Sequence, residues 1–277
     1  MAAMFGSDAF SPSEIAERVE KTGVAKARLP IHALLMLGML AGAFIGLGSL
    51  YYVIVVSDPA LPIAVQRVLG GVVFSLGLLL VVVAGAELFT GNNLIAMAWA
   101  EGRISTVELL VNWFVVCCAN FGGAIVLASI VFFSGHAEAY AATYVKIAAA
   151  KTSLPWVQAF FSGVMCNVLV CMAVWMTFAG RSVVDKAVAI VFPISAFVAA
   201  GFEHSVANMY LIPLGMMLQS AAGEPLALAG LARNLVPVIA GNLVGGSVLV
   251  ALVYYVIYRW PLRVNATRAP SRKASEG

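Results

Sequence analysis

Long apolar runs alternate with short polar segments along almost the whole chain. Six runs reach about 20 residues or more, which is the length that an α-helix needs to cross a bilayer. The pattern predicts an all-α polytopic membrane protein with six transmembrane helices in one channel-like domain, residues 31–260. The predicted spans are 31–56, 64–99, 107–134, 154–179, 187–219 and 235–258.

Two of these runs contain polar residues far from either end. The sequence GAELFTGNN (85–93) lies in the second run, and GFEHSVANM (201–209) lies in the fifth. Ionisable side chains at membrane depth are costly, so they indicate a path for an ion, a proton or a substrate. Gly201 and Pro213 favour a break, which is tolerated only where the freed backbone groups line a cavity or pack against protein. We expect helices 2 and 5 to be broken at these stretches.

The two polar stretches resemble each other. Glu87 and Glu203 each follow an Ala-Gly pair after one residue, and Asn92 and Asn208 lie five residues further on. The sequence ANFGGA in the third run is similar to GNLVGG in the sixth. This pattern predicts two copies of a three-helix unit, and the odd number of spans places them in opposite orientations. Inverted repeats with matching broken helices indicate a transport site near the midplane of the membrane.

The polar N-terminal segment, residues 1–30, is predicted to form a cytoplasmic amphipathic helix. Ser11 and Glu14 have the capping-box pattern with proline at the first helical position, and Gly23 is a natural stop. Two roles stay open for this helix, a membrane-lying anchor or a mobile gate over a pore. The basic segment 261–277 is predicted to be a disordered cytoplasmic tail.

Basic residues are unevenly distributed between the two sides of the predicted bundle. Twelve of the sixteen lysines and arginines fall on the side of the termini. The positive-inside rule therefore places both termini in the cytoplasm. The start of the chain has no signal-peptide pattern, and a multi-pass protein of the bacterial inner membrane is expected. The bases expected on the external side are Arg67, Lys146, Lys151 and Arg233.

The composition restricts the class of protein. Hydrophobic residues make up 62% of the chain and charged residues 10%, which is far outside the range of soluble proteins. The lipid bilayer is an expected partner, and nucleic acid is not. The cysteines lie in apolar spans without metal-ligand spacing, so we interpret them as packing residues and expect no metal or other cofactor. They are Cys117, Cys118, Cys166 and Cys171.

The fifth run contains the residue with the clearest chemistry. His204 is the only histidine at membrane depth, and the ordinary imidazole pKa of about 6.5 suits proton exchange at physiological pH. Half-helices that end at mid-membrane aim backbone N–H groups at a site and favour an anion there. A weak acid that receives a proton could cross apolar constrictions, where a bare anion is expensive. The candidate constriction residues are Phe74, Leu78, Leu88, Phe89, Phe197 and Phe202.

Structural interpretations of the same residues stay open. His204 could be a buried histidine that bonds asparagine or backbone. Glu87 and Glu203 could hold the ends of the broken helices rather than meet a substrate. Lys151 could be a solvated loop charge or a collector of anions at the external side. Hydrogen bonds between helices would explain four asparagines, Asn92, Asn167, Asn208 and Asn242.

Several motifs together resemble the formate/nitrite transporter family over about residues 10–260. The resemblance implies an aquaporin-like fold and a homopentamer with a pore in each protomer. It also implies small monovalent anions, formate and nitrite, as substrates. The motifs are GAELFTGN, the spacing of Lys151 and Asn167 with CNVLVCMAVW, GRSVVDK, FEHSVANM and NLVPVIAGNLVGG.

The resemblance also implies roles for single residues. His204 would exchange protons, and Thr90 would face it from the break in helix 2. Phe74 and Phe197 resemble the external constriction, and the internal constriction would consist of Leu78, Leu88 and Phe89. The polar group that tunes the histidine and attracts the anion would consist of Lys151, Glu203, Asn167 and Asn208.

The motifs favour formate over nitrite without excluding nitrite. GRSVVDK and FEHSVANMYLIPLG are of the formate type, whereas AGAFIGLG and ELFTGN are nitrite-type or generic. Gly91 and Asn92 depart from the Ser-Thr pair of some formate channels. A water or glycerol channel is disfavoured because the paired NPA signatures of aquaporins are absent from the sequence. An enzyme or haem carrier is disfavoured because a second membrane-depth histidine and a nucleophile–base set are missing.

Overall fold

The computed structural model describes residues 9–224 and 228–263, and the regular secondary structure within them is helical. Six helical segments are long and apolar enough to cross a membrane, which confirms the predicted all-α fold with six spans. These segments are Ile31–Val56, Ile63–Gly85, Thr106–Phe133, Trp156–Thr177, Val183–Ala200 and Leu228–Arg263.

The α-helices follow one another with short connections. In chain order they are α1 (Pro12–Ala27), α2 (Ile31–Val56), α3 (Ile63–Leu79), α4 (Ala96–Ala100), α5 (Thr106–Phe133), α6 (Ala141–Thr152), α7 (Trp156–Thr177), α8 (Val183–Ala200), α9 (Ser205–Ala221), α10 (Leu228–Leu243) and α11 (Val253–Tyr258). Segments of π-helix are Leu80–Gly85 and Val244–Leu252, and segments of 3-10 helix are Gly91–Ile95 and His136–Tyr140.

The N-terminal helix α1 begins as expected but runs further than expected. The Ser11 hydroxyl accepts a hydrogen bond from the N–H of Glu14, and the Glu14 carboxylate accepts from the N–H of Ser11. The helix does not stop at Gly23 and continues to Ala27. A Cβ at Gly23 would lie 3.2 Å from the Cβ of Ala98, so the glycine allows α1 to pack closely on α4. The predicted stop was therefore wrong, because the small residue is used for packing.

Helical conformation ends at both polar stretches. The π-helical segment after α3 ends at Gly85, whose φ is 89°, and Ala86 is extended. α8 ends before Gly201, whose φ is 77°, and α9 begins at Ser205. Glycine adopts this left-handed backbone without the steric cost that other residues incur. The two glycines thus turn the chain at related positions in the two halves.

The interruption expected in the run 64–99 lies at residues 86–90, which are not helical. Other predicted boundaries differ from the structure. The predicted external loop 135–153 contains α6, which packs against α9, where a Cβ at Gly215 would lie 2.8 Å from the Tyr144 carbonyl oxygen. The last span begins at Leu228 rather than near residue 235. Of the predicted tail 261–277, residues 264–277 lie outside the described part of the chain.

Glycines bring two pairs of helices into close contact in matching ways. On α2, a Cβ at Gly42 would overlap the carbonyl oxygen of Asn120 on α5. On α10, a Cβ at Gly241 would overlap the carbonyl oxygen of Phe160 on α7. Small residues at such crossings let helix backbones approach each other within a membrane. The pair α2–α5 therefore has a counterpart in the pair α7–α10.

Candidate functional site

The two interruptions meet at a pair of buried side chains, Thr90 and His204. The Thr90 Oγ1 atom lies 3.1 Å from His204 Nε2. His204 is also the N-cap of α9, where its Nδ1 accepts a hydrogen bond of 3.1 Å from the N–H of Ala207. Nδ1 therefore carries no proton in this geometry, and in the neutral ring the proton is on Nε2, directed at Thr90. His204 is only 3% exposed.

Aromatic rings enclose the imidazole on one side. The Phe197 ring stacks on His204 with a centroid distance of 5.7 Å and an interplanar angle of 19°. The Phe74 ring meets His204 edge-on at 6.5 Å and packs edge-to-face on Phe197 at 5.6 Å. Two predicted constriction residues thus contact each other and the predicted proton-exchanging residue. Their apolar surfaces limit the space from which a hydrated ion could approach the ring.

Two asparagines hold the backbone where the helices are interrupted. The Asn242 side chain accepts from the N–H of Ser205 at 2.9 Å and donates to the carbonyl oxygens of Gly163 at 2.8 Å and Glu203 at 3.1 Å. Buried backbone groups need such partners, because an unpaired group loses its bond with water. The side-chain amide thus fixes the chain on both sides of His204.

The second interruption has an equivalent arrangement. The Asn120 side chain accepts from the N–H of Phe89 at 2.9 Å and donates to the carbonyl oxygens of Gly38 at 2.7 Å and Glu87 at 2.9 Å. By this correspondence Phe89 matches Ser205 and Glu87 matches Glu203, so Leu88 occupies the position that matches His204. The histidine has no counterpart in the other half of the chain.

A charged cluster lies beside His204. Lys151 Nζ donates to Glu203 Oε1 at 2.7 Å. Asn208 donates from Nδ2 to Glu203 Oε2 at 2.6 Å and to Asn234 Oδ1 at 2.7 Å, and Asn234 donates to the Lys151 carbonyl oxygen at 2.9 Å. The structure thus brings together three predicted site residues, Lys151, Glu203 and Asn208. Lys151 belongs to α6 rather than to an irregular loop.

The other half of the chain contains a matching cluster. Lys26 Nζ donates to Glu87 Oε1 at 2.8 Å and to Asn92 Oδ1 at 3.0 Å. Asn92 donates to Glu87 Oε2 at 2.7 Å and to Asn112 Oδ1 at 3.0 Å, and Asn112 donates to the Lys26 carbonyl oxygen at 3.2 Å. The repeat therefore includes α1 and α6 as well as three spans in each half.

Lys26 was not among the residues predicted for the site. Lys26 lies 61 residues before Glu87, whereas Lys151 lies 52 residues before Glu203. Because the two lysines have different spacings from their glutamates, comparison of the two halves around the glutamates does not align them. The predicted stop at Gly23 also left Lys26 outside the helix. The signal that could have indicated Lys26 is a lysine in the last turn of a short helix before the first span of each half.

A cavity of about 480 Å³ lies on one side of the Thr90–His204 pair, and we call it the Lys26 cavity. Two predicted constriction residues, Leu78 and Leu88, are part of its wall, together with Gly91 of the loop that follows Thr90. The polar residues of this wall are Thr22, Lys26, Glu87, Asn92 and Thr177.

A smaller cavity of about 80 Å³ lies on the other side of the pair, and we call it the Lys151 cavity. His204 itself is in its wall, whereas the Lys26 cavity is lined by Leu88 and Gly91, which lie on either side of Phe89 and Thr90 in the chain. The Thr90–His204 pair thus lies between the residues that line the two cavities. The predicted constriction residues Phe74, Phe197 and Phe202 line it too. The polar or aromatic residues that complete the wall are Tyr52, Lys151 and Asn208.

Two predicted site residues, Phe89 and Asn167, lie outside the cavity walls and the Lys151 cluster. Phe89 lines neither of these two cavities and is buried. Asn167 does not join the Lys151 cluster: its Nδ2 donates to the Thr90 carbonyl oxygen at 3.2 Å, to Asn93 Oδ1 at 2.7 Å and to the Asn242 carbonyl oxygen at 2.7 Å. Asn167 thus holds the loop that carries Thr90. Within residues 9–224 and 228–263, no group of three His, Cys, Asp or Glu side chains could hold a metal ion.

The same sequence features and geometry have counterparts in known proteins. The family model of formate/nitrite transporters matches residues 13–256. The chain is 37% identical to the formate channel FocA of Haemophilus influenzae over 266 residues, which are 89% of this chain and 94% of that protein. It is 40% identical to the uncharacterized transporter YrhG of Bacillus subtilis over 256 residues, which are 89% of this chain and 93% of that protein. A solved pentameric formate channel with formate bound is similar at 37% identity and a TM-score of 0.75, over 82% of this chain and 97% of the other.

Proposed function

The chain belongs to the formate/nitrite transporter family, and from this premise we propose that it transports formate through a pore in each protomer, with proton exchange at His204. The observation that carries the proposal is the Thr90–His204 pair, which lies between two cavities and is enclosed by apolar rings. Each cavity contains one lysine. Small anions would therefore be attracted to both sides of a dry, apolar centre.

The two lysines have the same role at opposite entrances of the pore. Lys26 and Lys151 are each paired with one glutamate, and their side chains are 28% and 17% exposed, so they retain contact with the cavities. An ammonium has three donors; Lys151 uses one of them for Glu203, and Lys26 uses two, for Glu87 and Asn92. The remaining donors hold an anion, while the glutamate keeps the local charge near zero, so that the anion is not bound too tightly to move on.

The central step is the transfer of one proton to the anion. For the ring to become an imidazolium, Nδ1 must accept a proton and release the N–H of Ala207 that it now binds. Formate then accepts the Nε2 proton, which must leave Thr90 Oγ1 to reach it. The step yields neutral formic acid and a neutral imidazole whose remaining proton is on Nδ1. The neutral acid then crosses the apolar constrictions, which are costly for the bare anion.

The arrangement in the cell follows from the same family. We place both termini and the Lys26 cavity on the cytoplasmic side of a bacterial inner membrane, because most basic residues lie on that side. We also propose a homopentamer, since the similar solved channel with formate bound is pentameric. Many large apolar side chains are exposed on the single chain, as lipid and neighbouring subunits require.

The test is uptake into proteoliposomes, with formate and nitrite compared at equal gradients at pH 5.5 and 7.5. We expect formate flux to exceed nitrite flux and to rise at low pH, because more imidazolium and more acid are present. His204→Ala should lose the pH dependence and at least about 90% of the flux. A matched control is His32→Ala, because His32 is an exposed histidine at the start of α2, away from both cavities.

Nitrite is the competing substrate within the same family. A flux of nitrite that exceeds that of formate would assign the chain to nitrite transport and leave the pore architecture unchanged. Flux in His204→Ala with the pH profile of the wild type would contradict proton exchange at this residue.

A further inference from the structure

The wall of the Lys151 cavity includes a tyrosine, Tyr52, that has no role in the transport steps proposed above. Tyr52 on α2 lines this cavity together with Lys151 and His204. Its side chain is half-buried, yet its Oη atom forms no hydrogen bond with any residue in the described part of the chain, and it is not sealed from solvent. The phenol is thus an available polar group beside a lysine that attracts anions.

The tyrosine ring is held in place although its hydroxyl is free. A Cβ at Gly70 of α3 would lie 2.9 Å from Cδ2 of Tyr52, so the ring packs directly on the helix backbone there. Buried tyrosine hydroxyls usually have a partner. Tyr144 and Tyr210 follow this rule, with their hydroxyl oxygens 3.1 Å apart. The rigid ring and free hydroxyl of Tyr52 are those of a ligand-binding group rather than of a packing residue.

A second polar atom without a partner belongs to Asn208, another residue of the same wall. Asn208 donates both of its N–H bonds to acceptor oxygens, on Glu203 and Asn234, so the orientation of its amide is fixed. Its Oδ1 atom is buried and has no partner among the described residues. In the Lys26 cavity the matching oxygen, on Asn92, accepts from Lys26. The Lys151 cavity therefore has an unpartnered acceptor in addition to the phenol.

The hydroxyl is specific to one side of the molecule. Gly38 on α2 matches Gly163 on α7, because their carbonyl oxygens accept from the matching Asn120 and Asn242. Tyr52 therefore matches Thr177, which lies at the same distance along α7 and lines the Lys26 cavity. The Thr177 hydroxyl donates to the Val174 carbonyl oxygen within its own helix at 2.6 Å, so it is already bonded. The architecture of the repeat thus does not require a free hydroxyl at this position, and its presence at Tyr52 needs a separate reason.

We propose that Tyr52 is a substrate-positioning residue that binds a small oxyanion in the Lys151 cavity, an inference that rests on the proposed function. The phenol donates to one oxygen of the monocarboxylate while Lys151 Nζ binds the other. When the anion becomes the neutral acid, the acid O–H donates to the phenol oxygen, because a hydroxyl can also accept. Tyr52 and Lys151 thus hold the substrate next to His204.

The experiment compares Tyr52→Phe with Tyr51→Phe. Tyr51 is the neighbouring tyrosine, it is 45% exposed, and it lines neither cavity, so its variant controls for loss of a hydroxyl on α2. We expect Tyr52→Phe to raise the apparent KM for formate uptake about threefold to tenfold, which is the range given by the typical net contribution of one hydrogen bond. The maximal rate should change by less than about twofold, and the thermal stability should stay that of the wild type.

A binding measurement separates this inference from the proposed function. Line broadening of ¹³C-formate by the purified full chain in detergent reports binding without transport. If the wild type binds formate but does not transport it, the proposed function fails, whereas weaker binding by Tyr52→Phe still supports the role of Tyr52. Equal formate binding and equal KM in Tyr52→Phe, Tyr51→Phe and the wild type would overturn the inference.

Discussion

Single amide side chains determine the geometry at the centre of the molecule. Asn120 and Asn242 each satisfy one backbone N–H and two backbone carbonyl groups at an interruption of a helix. Asn167 also donates to the Thr90 carbonyl oxygen, although its own Oδ1 has no partner among the described residues. These residues line neither cavity, and we expect them to maintain the Thr90–His204 distance of 3.1 Å.

Replacing Asn242 by leucine tests this role. The variant leaves the N–H of Ser205 and two carbonyl groups without partners, and each unsatisfied buried group costs about 1–3 kcal/mol. We expect a loss of about 2 kcal/mol or more, seen as a lower midpoint of thermal unfolding in detergent. Ser129→Ala is the control, because the Ser129 hydroxyl donates only within its own helix, to the Ile125 carbonyl oxygen. Equal midpoints in the two variants would show that Asn242 is dispensable.

The residues that could be predicted from the sequence are those whose chemistry is unusual for their position. His204, Glu203 and Asn208 were identifiable because polar groups are rare within an apolar run, and they lie in one cluster or next to it. Lys26 was missed because a lysine near a helix end is ordinary until the docking of that helix is known. Tyr52 was missed because a tyrosine in an apolar span has no signal that separates a lining residue from a lipid-facing one.

At the scale of elements, a buried carboxylate of α1 contributes to the docking of this helix on the bundle. Glu20 is 1% exposed and lies 3.0 Å from Nη1 of Arg103 and 2.6 Å from Nη2 of Arg259. The Phe10 ring lies between two guanidinium groups, at 3.4 Å from Arg18 and 4.1 Å from Arg181. Because α1 carries Lys26, its docking decides whether the Lys26 cavity contains a positive charge.

Glu20→Gln should loosen α1. Removing the carboxylate leaves the two arginines without their shared partner, and breaking a buried pair by removing one member is strongly destabilising. We expect amide hydrogen exchange across Pro12–Ala27 to become at least about tenfold faster, which corresponds to about 1.4 kcal/mol. The exchange in α5 and α7 should not change.

The control for this variant is Glu17→Gln on the same helix. Glu17 pairs with Lys21 at the surface, where both side chains are largely exposed, and such pairs contribute little. If the amide hydrogens of α1 exchanged as fast in Glu17→Gln as in Glu20→Gln, a specific role of Glu20 in docking α1 would be contradicted.

The start of α1 does not respond to pH in the range used for transport. The hydroxyl and the N–H of Ser11 donate to the Glu14 carboxylate and hold its pKa below the ordinary glutamate value. A lowered pKa means that the capping contribution is present above the unfolded pKa of about 4.3 and is lost only as the pH falls through the folded pKa. The capping box is therefore intact between pH 5.5 and 7.5, and a change of flux in that interval must come from another group.

Element types were largely predictable, because hydrophobic period and length determine a membrane span. The ends of elements were less predictable. Gly23 was expected to end α1, but tertiary packing on Ala98 uses the glycine within the helix. α6 was expected to be a loop because its mixed sequence does not reveal that Tyr144 and Ala148 are buried against a neighbouring helix.

At the scale of the whole molecule, a nearly symmetric scaffold carries asymmetric chemistry. The two backbone-holding asparagines match in their hydrogen bonds, and the two Lys–Glu–Asn–Asn clusters match except at the amide oxygens of Asn92 and Asn208. The centre does not follow this symmetry, because His204 corresponds to Leu88 in the other half. Under the proposed function, the symmetric scaffold would place anion-attracting groups at both entrances, and the single histidine would provide one proton-exchange site between them.

The central claim is that formate crosses the centre as a neutral acid, together with one proton. The most direct measurement records formate entry and internal pH together in proteoliposomes whose membrane potential is clamped at 0 or at −100 mV, with protein-free liposomes and His204→Ala as controls. We predict that one proton enters with each formate and that formate enters at equal rates at both potentials. A bare anion would gain or lose about 2.3 kcal/mol at −100 mV. Formate entry without protons, at a rate that follows the potential, would contradict the account.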